Sequence, residues 1–289
     1  MRIGTFDIDG NRQLGVISNE GVQYLDSLDG WPTSMVEWIN GGEEFVERYQ
    51  VLKDSIGIFS MNYSNVIAPI PRLVGNVVCL GKNYLAHAEE TSGKGGSSSV
   101  DVGYPLVFTK GTNAVNGPYG NIPYDSSVSI EIDWEVELAV IIGRQCINVE
   151  TNNALDFVFG YTVLNDISAR DIQYRHQQFY LGKSLDGSCP MGPWIVTSDE
   201  IIDPQCLDIR CWVNGELMQE SNTSDQIYTI AETISIVSRG HTLVPGDVIA
   251  TGTPAGVGFV RKPPQFLLPG DVLESEVEGI GRMRNIVGN

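Results

Sequence analysis

The stretch that most constrains the fold runs from residue 131 to residue 142 and reads Glu-Ile-Asp-Trp-Glu-Val-Glu-Leu-Ala-Val-Ile-Ile. Acidic and apolar residues alternate strictly as far as Leu138, and this period of two predicts a β-strand. Because successive side chains of a strand point to opposite faces, the acidic side chains are expected to share one face. They are Glu131, Asp133, Glu135 and Glu137. The apolar run that follows is typical of a buried strand.

Two interpretations of this acidic face remain open. Carboxylates in a row, with no Lys or Arg among them, repel one another, and burial strengthens the repulsion. A bound divalent cation would remove that cost. A solvated outer face of an antiparallel sheet would also avoid it, and such faces are common in acidic chains.

The composition limits the partners and the compartment. The net charge is −18, from 36 acidic and 18 basic residues, which argues against nucleic acid or an anionic membrane as a partner. No segment approaches the ~20 apolar residues that span a bilayer, and the start of the chain lacks the apolar core of a signal peptide. The five cysteines form no CxxC pair, which is typical of reduced thiols. We therefore expect a cytoplasmic protein.

The chain is expected to form a β-rich α+β structure. We predict a small N-terminal α+β domain over residues 1–70 and a main domain over residues 73–289, joined by a Pro-containing link. In the first, short alternating segments predict a meander, and the spacing of apolar residues over 32–56 predicts helix. In the second, which is mostly strand and turn, Asn214-Gly215 predicts a tight hairpin. Short helices are predicted near residues 84–91, 152–157 and 229–238.

One candidate catalytic pair lies in the first of these short helices. His87 and Glu90 are three positions apart, so a helix places them on the same face. A carboxylate beside an imidazole orients it and raises its basicity, as a general base requires. An exposed pair without a function remains the alternative.

Other segments carry candidate ligands. Asp166 follows an apolar run and would complete a three-carboxylate Mg²⁺ site if it met Glu135 and Glu137, although an Asp at a strand end also serves as a turn former. Lys183, in a turn-rich and otherwise uncharged stretch, would suit a substrate carboxylate or be merely solvated. The Gly-rich segment 250–258 lacks the Gly-Lys-Ser/Thr ending of a phosphate loop and would suit a small anion or a structural turn.

Taken together and in this order, the motifs resemble those of the fumarylacetoacetate hydrolase family. The resemblance covers about residues 73–289, whereas the first 70 residues match only loosely the variable N-terminal domain of bacterial-type members. The matching segments are 81–90, 133–137, 160–171, 182–184, 213–216 and 245–256.

This resemblance implies a fold, an assembly and a metal site. It implies a mixed β-roll-like catalytic domain that assembles as a homodimer. It also implies Mg²⁺ or Mn²⁺ bound by Glu135, Glu137 and Asp166. Glu131 and Asp133 are not expected to be direct ligands.

The resemblance also implies roles for the other candidates. His87 and Glu90 match the catalytic His-Glu pair, carried by a short helix that orders when substrate binds. Lys183 matches a lysine that holds the substrate carboxylate. Thr253 matches an anion-contacting threonine, and Gln173 matches a substrate-contacting glutamine.

The activity that follows is metal-dependent hydrolysis of an acylpyruvate, such as fumarylpyruvate or acetylpyruvate. His87, oriented by Glu90, would activate a water that attacks the C4 carbonyl, and cleavage would release pyruvate and a carboxylic acid. The alternatives are oxaloacetate decarboxylation, isomerisation or decarboxylation of aromatic-degradation intermediates, and ureidoglycolate lyase activity. A non-enzymatic binding protein is disfavoured, because every candidate ligand and the candidate base are present.

Two segments depart from the expected pattern. Residues 93–104 are rich in Gly and Ser and are longer than a compact lid requires. Residues 256–264 carry a basic, Pro-rich insertion close to Thr253. The length of the first is expected to affect which acyl groups fit, whereas the second would either shape the entrance or merely connect strands.

Overall fold

The computed structural model describes residues 1–25, 29–92 and 104–288, and it is the strand-rich α+β structure that the sequence predicts. The strands are β1 (Arg2–Ile8), β2 (Asn11–Ser18), β3 (Gly21–Tyr24), β4 (Val66–Ile67), β5 (Val77–Gly81), β6 (Leu106–Lys110), β7 (Val115–Asn116), β8 (Ile132–Asp133), β9 (Val136–Ile142), β10 (Val158–Asn165), β11 (Ser168–Ala169), β12 (Cys189–Thr197), β13 (Asp208–Val213), β14 (Glu216–Asn222), β15 (Val248–Ala250), β16 (Val272–Val277) and β17 (Gly281–Ile286). The α-helices are α1 (Met35–Gly41), α2 (Glu43–Leu52), α3 (Leu85–Glu90), α4 (Arg170–Arg175), α5 (Tyr180–Lys183) and α6 (Ile230–Val237). The segment Thr151–Phe157, where a helix was predicted, is a 3₁₀-helix.

Most strands belong to one mixed sheet. Its order is β3-β2-β1-β12-β10-β9-β15-β5-β6, with β4 also pairing with β1 and β7 with β12. A four-stranded antiparallel sheet has the order β14-β13-β16-β17, and β8 pairs with β11. The predicted hairpin joins β13 to β14 through Asn214 and Gly215, whose φ angles of 53° and 81° are those that a tight two-residue turn requires.

The N-terminal strands continue the large sheet. The predicted meander and helices are present, and Ser34 caps α1 by accepting a hydrogen bond from the Glu37 amide. β1 then pairs antiparallel with β12, with Arg2 opposite Val196. One hydrophobic core contains side chains from both parts of the chain, among them Trp38 and Ile195. The division into domains at residues 70–73 stays a prediction.

Strand β9 lies between two hydrophobic cores. All seven of its residues are buried. Leu138 and Val140 pack into one core, and Ala139 and Ile141 pack into the other. Because side chains alternate along a strand, Glu137 faces the same way as Ala139 and Ile141. A carboxylate is thereby held at the edge of a hydrophobic core.

Candidate metal and substrate site

The acidic stretch is not one continuous strand, so the prediction of a single strand from residue 131 onward is wrong. Strand β8 ends at Asp133, and Glu135 lies in the gap before β9. Strand β8 pairs with β11, whereas β9 pairs with β10, so the chain changes partner between them. Asn165 stabilises the backbone at this change of partner, because its Oδ1 accepts a hydrogen bond from the Glu135 amide at 3.0 Å.

Asp133 lies before this break and shares the Arg170 guanidinium with Glu135. Its Oδ1 accepts a hydrogen bond from the Gly258 amide at 2.7 Å, and its Oδ2 accepts from the Phe259 amide at 3.1 Å. Arg170 Nε also donates to Oδ2, at 2.9 Å. Asp133 therefore anchors the loop that follows Thr253.

Glu135, Glu137 and Asp166 do come together. One oxygen from each lies within 4.8 Å of the others, and all three side chains are buried. The cause is strand register: Glu137 is opposite Leu164, so the start of β9 lies beside the end of β10. The Asp166 amide then donates to the Glu135 carbonyl at 2.8 Å, which fixes the third carboxylate beside the first.

Three buried cations surround this carboxylate cluster. Lys183 Nζ donates to Glu135 Oε2 at 2.8 Å and to Asp166 Oδ2 at 2.7 Å. Lys110 Nζ donates to Asp166 Oδ1 at 2.8 Å. Arg170 Nη1 lies 2.7 Å from Glu135 Oε1. Glu135 and Asp166 are therefore each contacted by two cations.

Glu137 is held differently. Its Oε2 accepts a hydrogen bond from the Gly252 amide at 2.6 Å, and among the residues that the structure describes it forms no ion pair. Burial raises the pKa of Glu137 well above its ordinary value, and the charges of Asp166 and Glu135 raise it further. A divalent cation with a preference for oxygen ligands would relieve this repulsion. The donor set therefore fits Mg²⁺ or Mn²⁺.

Ion pairs stabilise the charged forms of Glu135 and Lys183. Burial acts to raise the pKa of Glu135, but the cations of Lys183 and Arg170 outweigh it and hold this pKa well below its ordinary value. Burial acts to lower the pKa of Lys183, but Asp166 and Glu135 raise it above its ordinary value. Both side chains are consequently charged at neutral pH.

His87 and Glu90 form the predicted pair on α3. His87 Nδ1 lies 2.8 Å from Glu90 Oε1, and the imidazole is buried. The Gly256 amide donates to both Glu90 oxygens, at 3.1 and 3.0 Å. A Cβ at position 256 would lie 2.0 Å from the Met218 carbonyl oxygen, so only glycine brings this amide so close. Glu90 is thus fixed from one side while it orients His87 on the other.

A cavity of about 200 Å³ brings five of the eight predicted site residues together. Its volume lies below the roughly 300–1,000 Å³ of typical ligand pockets, so it suits a small substrate. Much of the remaining wall is aromatic. The five predicted residues that line the cavity are His87, Glu135, Gln173, Lys183 and Thr253, and the aromatic ones are Phe108, Tyr174, Phe179 and Phe259.

Gln173 and Thr253, the predicted substrate-contacting residues, are positioned by hydrogen bonds to neighbouring side chains. Gln173 Oε1 accepts a hydrogen bond from Arg170 Nη1 at 3.0 Å. Thr253 Oγ1 accepts from Gln219 Nε2 at 2.8 Å, and Gln219 Oε1 accepts from the Val136 amide at the start of β9. The Thr253 loop and the strand that carries Glu137 are therefore joined through one glutamine.

Sequence reasoning missed the roles of Lys110, Arg170 and Gln219. Lys110 is the last residue of β6, and Arg170 lies inside the segment 160–171. The neighbouring sequence therefore indicated a role in the site only weakly for either residue. Their partners lie far away along the chain, which no local pattern reveals. His176 and His241 are exposed. The Gly/Ser-rich segment lies outside the described residues except for Tyr104.

Comparison with known proteins decides the family. The model of the fumarylacetoacetate (FAA) hydrolase C-terminal region matches residues 76–288. The oxaloacetate tautomerase YisK of Bacillus subtilis (strain 168) is 42% identical over 273 residues, which cover 91% of this chain and 89% of that protein. The chain belongs to the fumarylacetoacetate hydrolase family.

Solved structures of this family confirm the predicted fold. The fumarylacetoacetate hydrolase from Exiguobacterium antarcticum has a TM-score of 0.88 at 38% identity, covering 100% of this chain and 99% of that one. The maleylpyruvate hydrolase from Sphingobium sp. SYK-6, solved with manganese(II) and pyruvate, has a TM-score of 0.81 at 29% identity and covers 100% of both chains. No helix in the described ranges is long and apolar enough to cross a membrane.

Proposed function

We propose that this fumarylacetoacetate hydrolase family member is a divalent-metal-dependent tautomerase that interconverts the enol and keto forms of oxaloacetate. The observation that carries the proposal is the 2.8 Å contact of Glu90 with His87, which lines the same small cavity as Glu135. The similarity to an oxaloacetate tautomerase over 91% of the chain supports the choice of substrate. Oxaloacetate was among the substrates that the sequence suggested, whereas tautomerisation was not among the expected reactions.

In the proposed reaction one proton leaves oxygen and another reaches carbon. The enol loses the proton of its C2 hydroxyl and gains one at C3, and no carbon–carbon bond breaks. Glu90 engages Nδ1 of His87, so Nε2 is the nitrogen left to exchange a proton with C3. In the keto-to-enol direction Nε2 takes a proton from C3, the Glu90 carboxylate stabilises the resulting imidazolium, and the C2 oxygen takes up a proton from water. The imidazolium then returns its proton to water, and the enol-to-keto direction is the reverse of these steps.

Glu135, Glu137 and Asp166 would hold the metal ion, for which Mg²⁺ and Mn²⁺ are the candidates. When bound, such an ion supplies Lewis acidity that stabilises negative charge developing on the substrate oxygen. Lys183 lines the cavity beside these carboxylates and would bind the substrate's C1 carboxylate. Gln173 and Thr253 would orient the substrate in the cavity.

Acylpyruvate hydrolysis, the reaction expected from the sequence, remains a second candidate. It is favoured by the aromatic wall of the cavity, which would suit an acyl group larger than the distal carboxyl group of oxaloacetate. The maleylpyruvate hydrolase with bound manganese(II) and pyruvate supports the same class of chemistry. Oxaloacetate decarboxylation would use the same residues. A homodimeric assembly and a cytoplasmic location stay predictions.

The test separates these reactions by product. Enol-oxaloacetate is followed by its ultraviolet absorbance, and pyruvate is measured in parallel after incubation with oxaloacetate, acetylpyruvate or fumarylpyruvate. Each run is repeated with Mg²⁺, with Mn²⁺ and with EDTA, against the metal ion without protein. The proposal expects metal-dependent enol decay without pyruvate release. Pyruvate from an acylpyruvate alone would support the hydrolase, and pyruvate from oxaloacetate would support a decarboxylase.

A further inference from the structure

Gln219 approaches the site from the four-stranded sheet, which carries none of the predicted site residues. In the pairing of β14 with β13, the register shifts by one residue at Met218. Side chains two positions apart on a regular strand share a face, yet Leu217 is 43% exposed and Gln219 only 1%. A β-bulge of this kind re-aims a side chain, and here it accompanies the burial of Gln219.

The side-chain amide of Gln219 can take only one orientation. Its Oε1 accepts a hydrogen bond from the Val136 amide at 3.0 Å, and a backbone N–H can only donate. Its Nε2 donates to the Pro254 carbonyl and to Thr253 Oγ1, each at 2.8 Å, and a carbonyl can only accept. Exchanging the oxygen and the nitrogen would bring two donors together at Val136 and two acceptors together at Pro254. Thr253 Oγ1 is therefore an acceptor towards Gln219.

This hydrogen bond determines what the Thr253 hydroxyl can offer. Since Oγ1 accepts from Gln219, its own hydrogen must be donated elsewhere. Within the described residues no oxygen accepts that hydrogen, although Thr253 is only 2% exposed. A buried donor without an acceptor is unfavourable, and Thr253 lines the cavity. A negatively charged oxygen of a bound substrate would accept this hydrogen.

The same region holds this donor in register with the carboxylate cluster. Gln219 contacts the amide of Val136, which directly precedes Glu137. The Gly252 amide, next to Thr253 in the chain, donates to Glu137 Oε2 at 2.6 Å. The Thr253 loop is thereby tied twice to the segment that carries a predicted metal ligand. A substrate taken up at the cluster would meet a hydroxyl donor whose position is already set.

We propose that Gln219 is a positioning residue that fixes the Thr253 hydroxyl as a hydrogen-bond donor to a negatively charged oxygen of the substrate. This inference rests on the proposed function and deepens it, because it identifies what prepares one of the substrate-binding groups. Gln219 is not among the described residues that line the cavity, so it acts through Thr253. A carboxylate accepts hydrogen bonds, so the arrangement favours an anionic substrate.

The test is a double-mutant cycle between Gln219 and Thr253, measured as malate affinity. Malate has both carboxylates of oxaloacetate but does not tautomerise, and it is titrated calorimetrically into the Mg²⁺-loaded protein. Thr253→Val removes the hydroxyl and is expected to weaken binding by about 10- to 100-fold, as for the loss of a hydrogen bond to a charged group. Gln219→Met is expected to weaken binding by about 10-fold when Thr253 is present, but by less than about twofold in the Thr253→Val protein.

A matched control and two further variants accompany the cycle. Gln145→Met, at an exposed position, should bind malate like the unaltered protein. Thr253→Ser keeps the hydroxyl and should retain most of the affinity. Gln219→Glu keeps an acceptor for the Val136 amide but would accept from the Thr253 hydroxyl. It takes the place of Gln219→Met if that variant does not fold, and the same dependence on the Thr253 hydroxyl is expected.

The outcomes separate this inference from the proposed function. Equal weakening by Gln219→Met with and without the Thr253 hydroxyl, or no weakening in either case, overturns the role of Gln219. Undiminished malate binding in Thr253→Val also overturns it. In the active enzyme, Gln219→Met should raise KM for enol-oxaloacetate by about 10-fold with little change in kcat. The expected cycle in a protein without tautomerase activity would uphold Gln219 and reject the proposed reaction.

Discussion

At the residue scale, the candidate metal site contains an imbalance of buried charge. Within the described residues, four carboxylates and three cations are buried around the cluster, and Glu137 is the carboxylate that no cation contacts. Its burial is costly because it lies beside two like charges. A bound divalent cation would compensate for this cost.

Glu137→Gln tests this interpretation. The amide still accepts the Gly252 hydrogen bond but removes the uncompensated charge. We expect Mn²⁺ affinity, measured by calorimetry, to fall by more than about 100-fold, beyond the effect of losing an outer hydrogen-bond partner. The melting temperature in EDTA should stay the same or rise. Glu131→Gln is the control, because Glu131 lies outside the cluster, and equal Mn²⁺ affinities in the two variants would reject Glu137 as a ligand.

The His87–Glu90 pair gives a second prediction at this scale. Glu90→Gln keeps the size of the side chain and the Gly256 contact but removes the charge that stabilises the imidazolium. We expect kcat for enol-oxaloacetate to fall about 10- to 100-fold with little change in KM. Glu89→Gln, at an exposed position on the same helix, should behave like the unaltered protein. A similar loss in both variants would point to a general effect on α3.

Whether a contact in the site could be predicted from the sequence depends on how far apart its two residues lie along the chain. His87 and Glu90 were predicted because their contact is local, and the carboxylates because they lie in recognisable motifs. Lys110 meets Asp166 across 56 positions of the chain, so only the folded sheet brings them together. The break after Asp133 was missed because alternation in sequence does not reveal a change of strand partner.

At the scale of elements, α4 and α5 position Lys183 and were not predicted. Both are short and lack an apolar period long enough to stand out from the turn-rich sequence. They pack at Gly182, where an added Cβ would lie 2.4 Å from the backbone nitrogen of Gln173. The absence of a side chain at this position therefore sets how closely the two helices approach.

Gly182→Ala should push α5 away from α4 and displace Lys183. We expect a loss of about 1–3 kcal/mol in the free energy of unfolding, the usual cost of overpacking, together with a higher KM for oxaloacetate. Gly57→Ala is the matched control, because a Cβ there meets its nearest neighbour, Phe59, at an ordinary 3.6 Å. Denaturant unfolding and steady-state kinetics measure the two effects, and an unaffected KM would argue that Lys183 does not depend on this contact.

At the scale of the whole molecule, the N-terminal segment and the main part share a sheet and a core. Their individual strands and helices were predicted from local patterns. The pairing of β1 with β12 was not, because it joins residues almost 200 positions apart. Since Trp38 packs in the same core as residues of β9 and β12, we expect the described parts of the chain to unfold together.

Trp38→Ala tests this cooperativity. Removing a fully buried tryptophan should cost about 3–5 kcal/mol and lower the melting temperature of a single calorimetric transition. Val51→Ala, at a position that is 81% exposed on α2, should leave it unchanged. Two transitions, of which Trp38→Ala shifts only one, would instead support an independently folding N-terminal domain.

The most direct test of the central claim is the rate of enol-oxaloacetate decay in the unaltered protein and in His87→Ala, each with Mg²⁺ and with EDTA. The account predicts catalysis that EDTA abolishes and that His87→Ala lowers by about 10²- to 10⁴-fold, the range for loss of a general acid–base group. His176→Ala, at an exposed position, should retain full activity. Undiminished decay in His87→Ala, or in EDTA, would contradict metal-dependent proton transfer by His87.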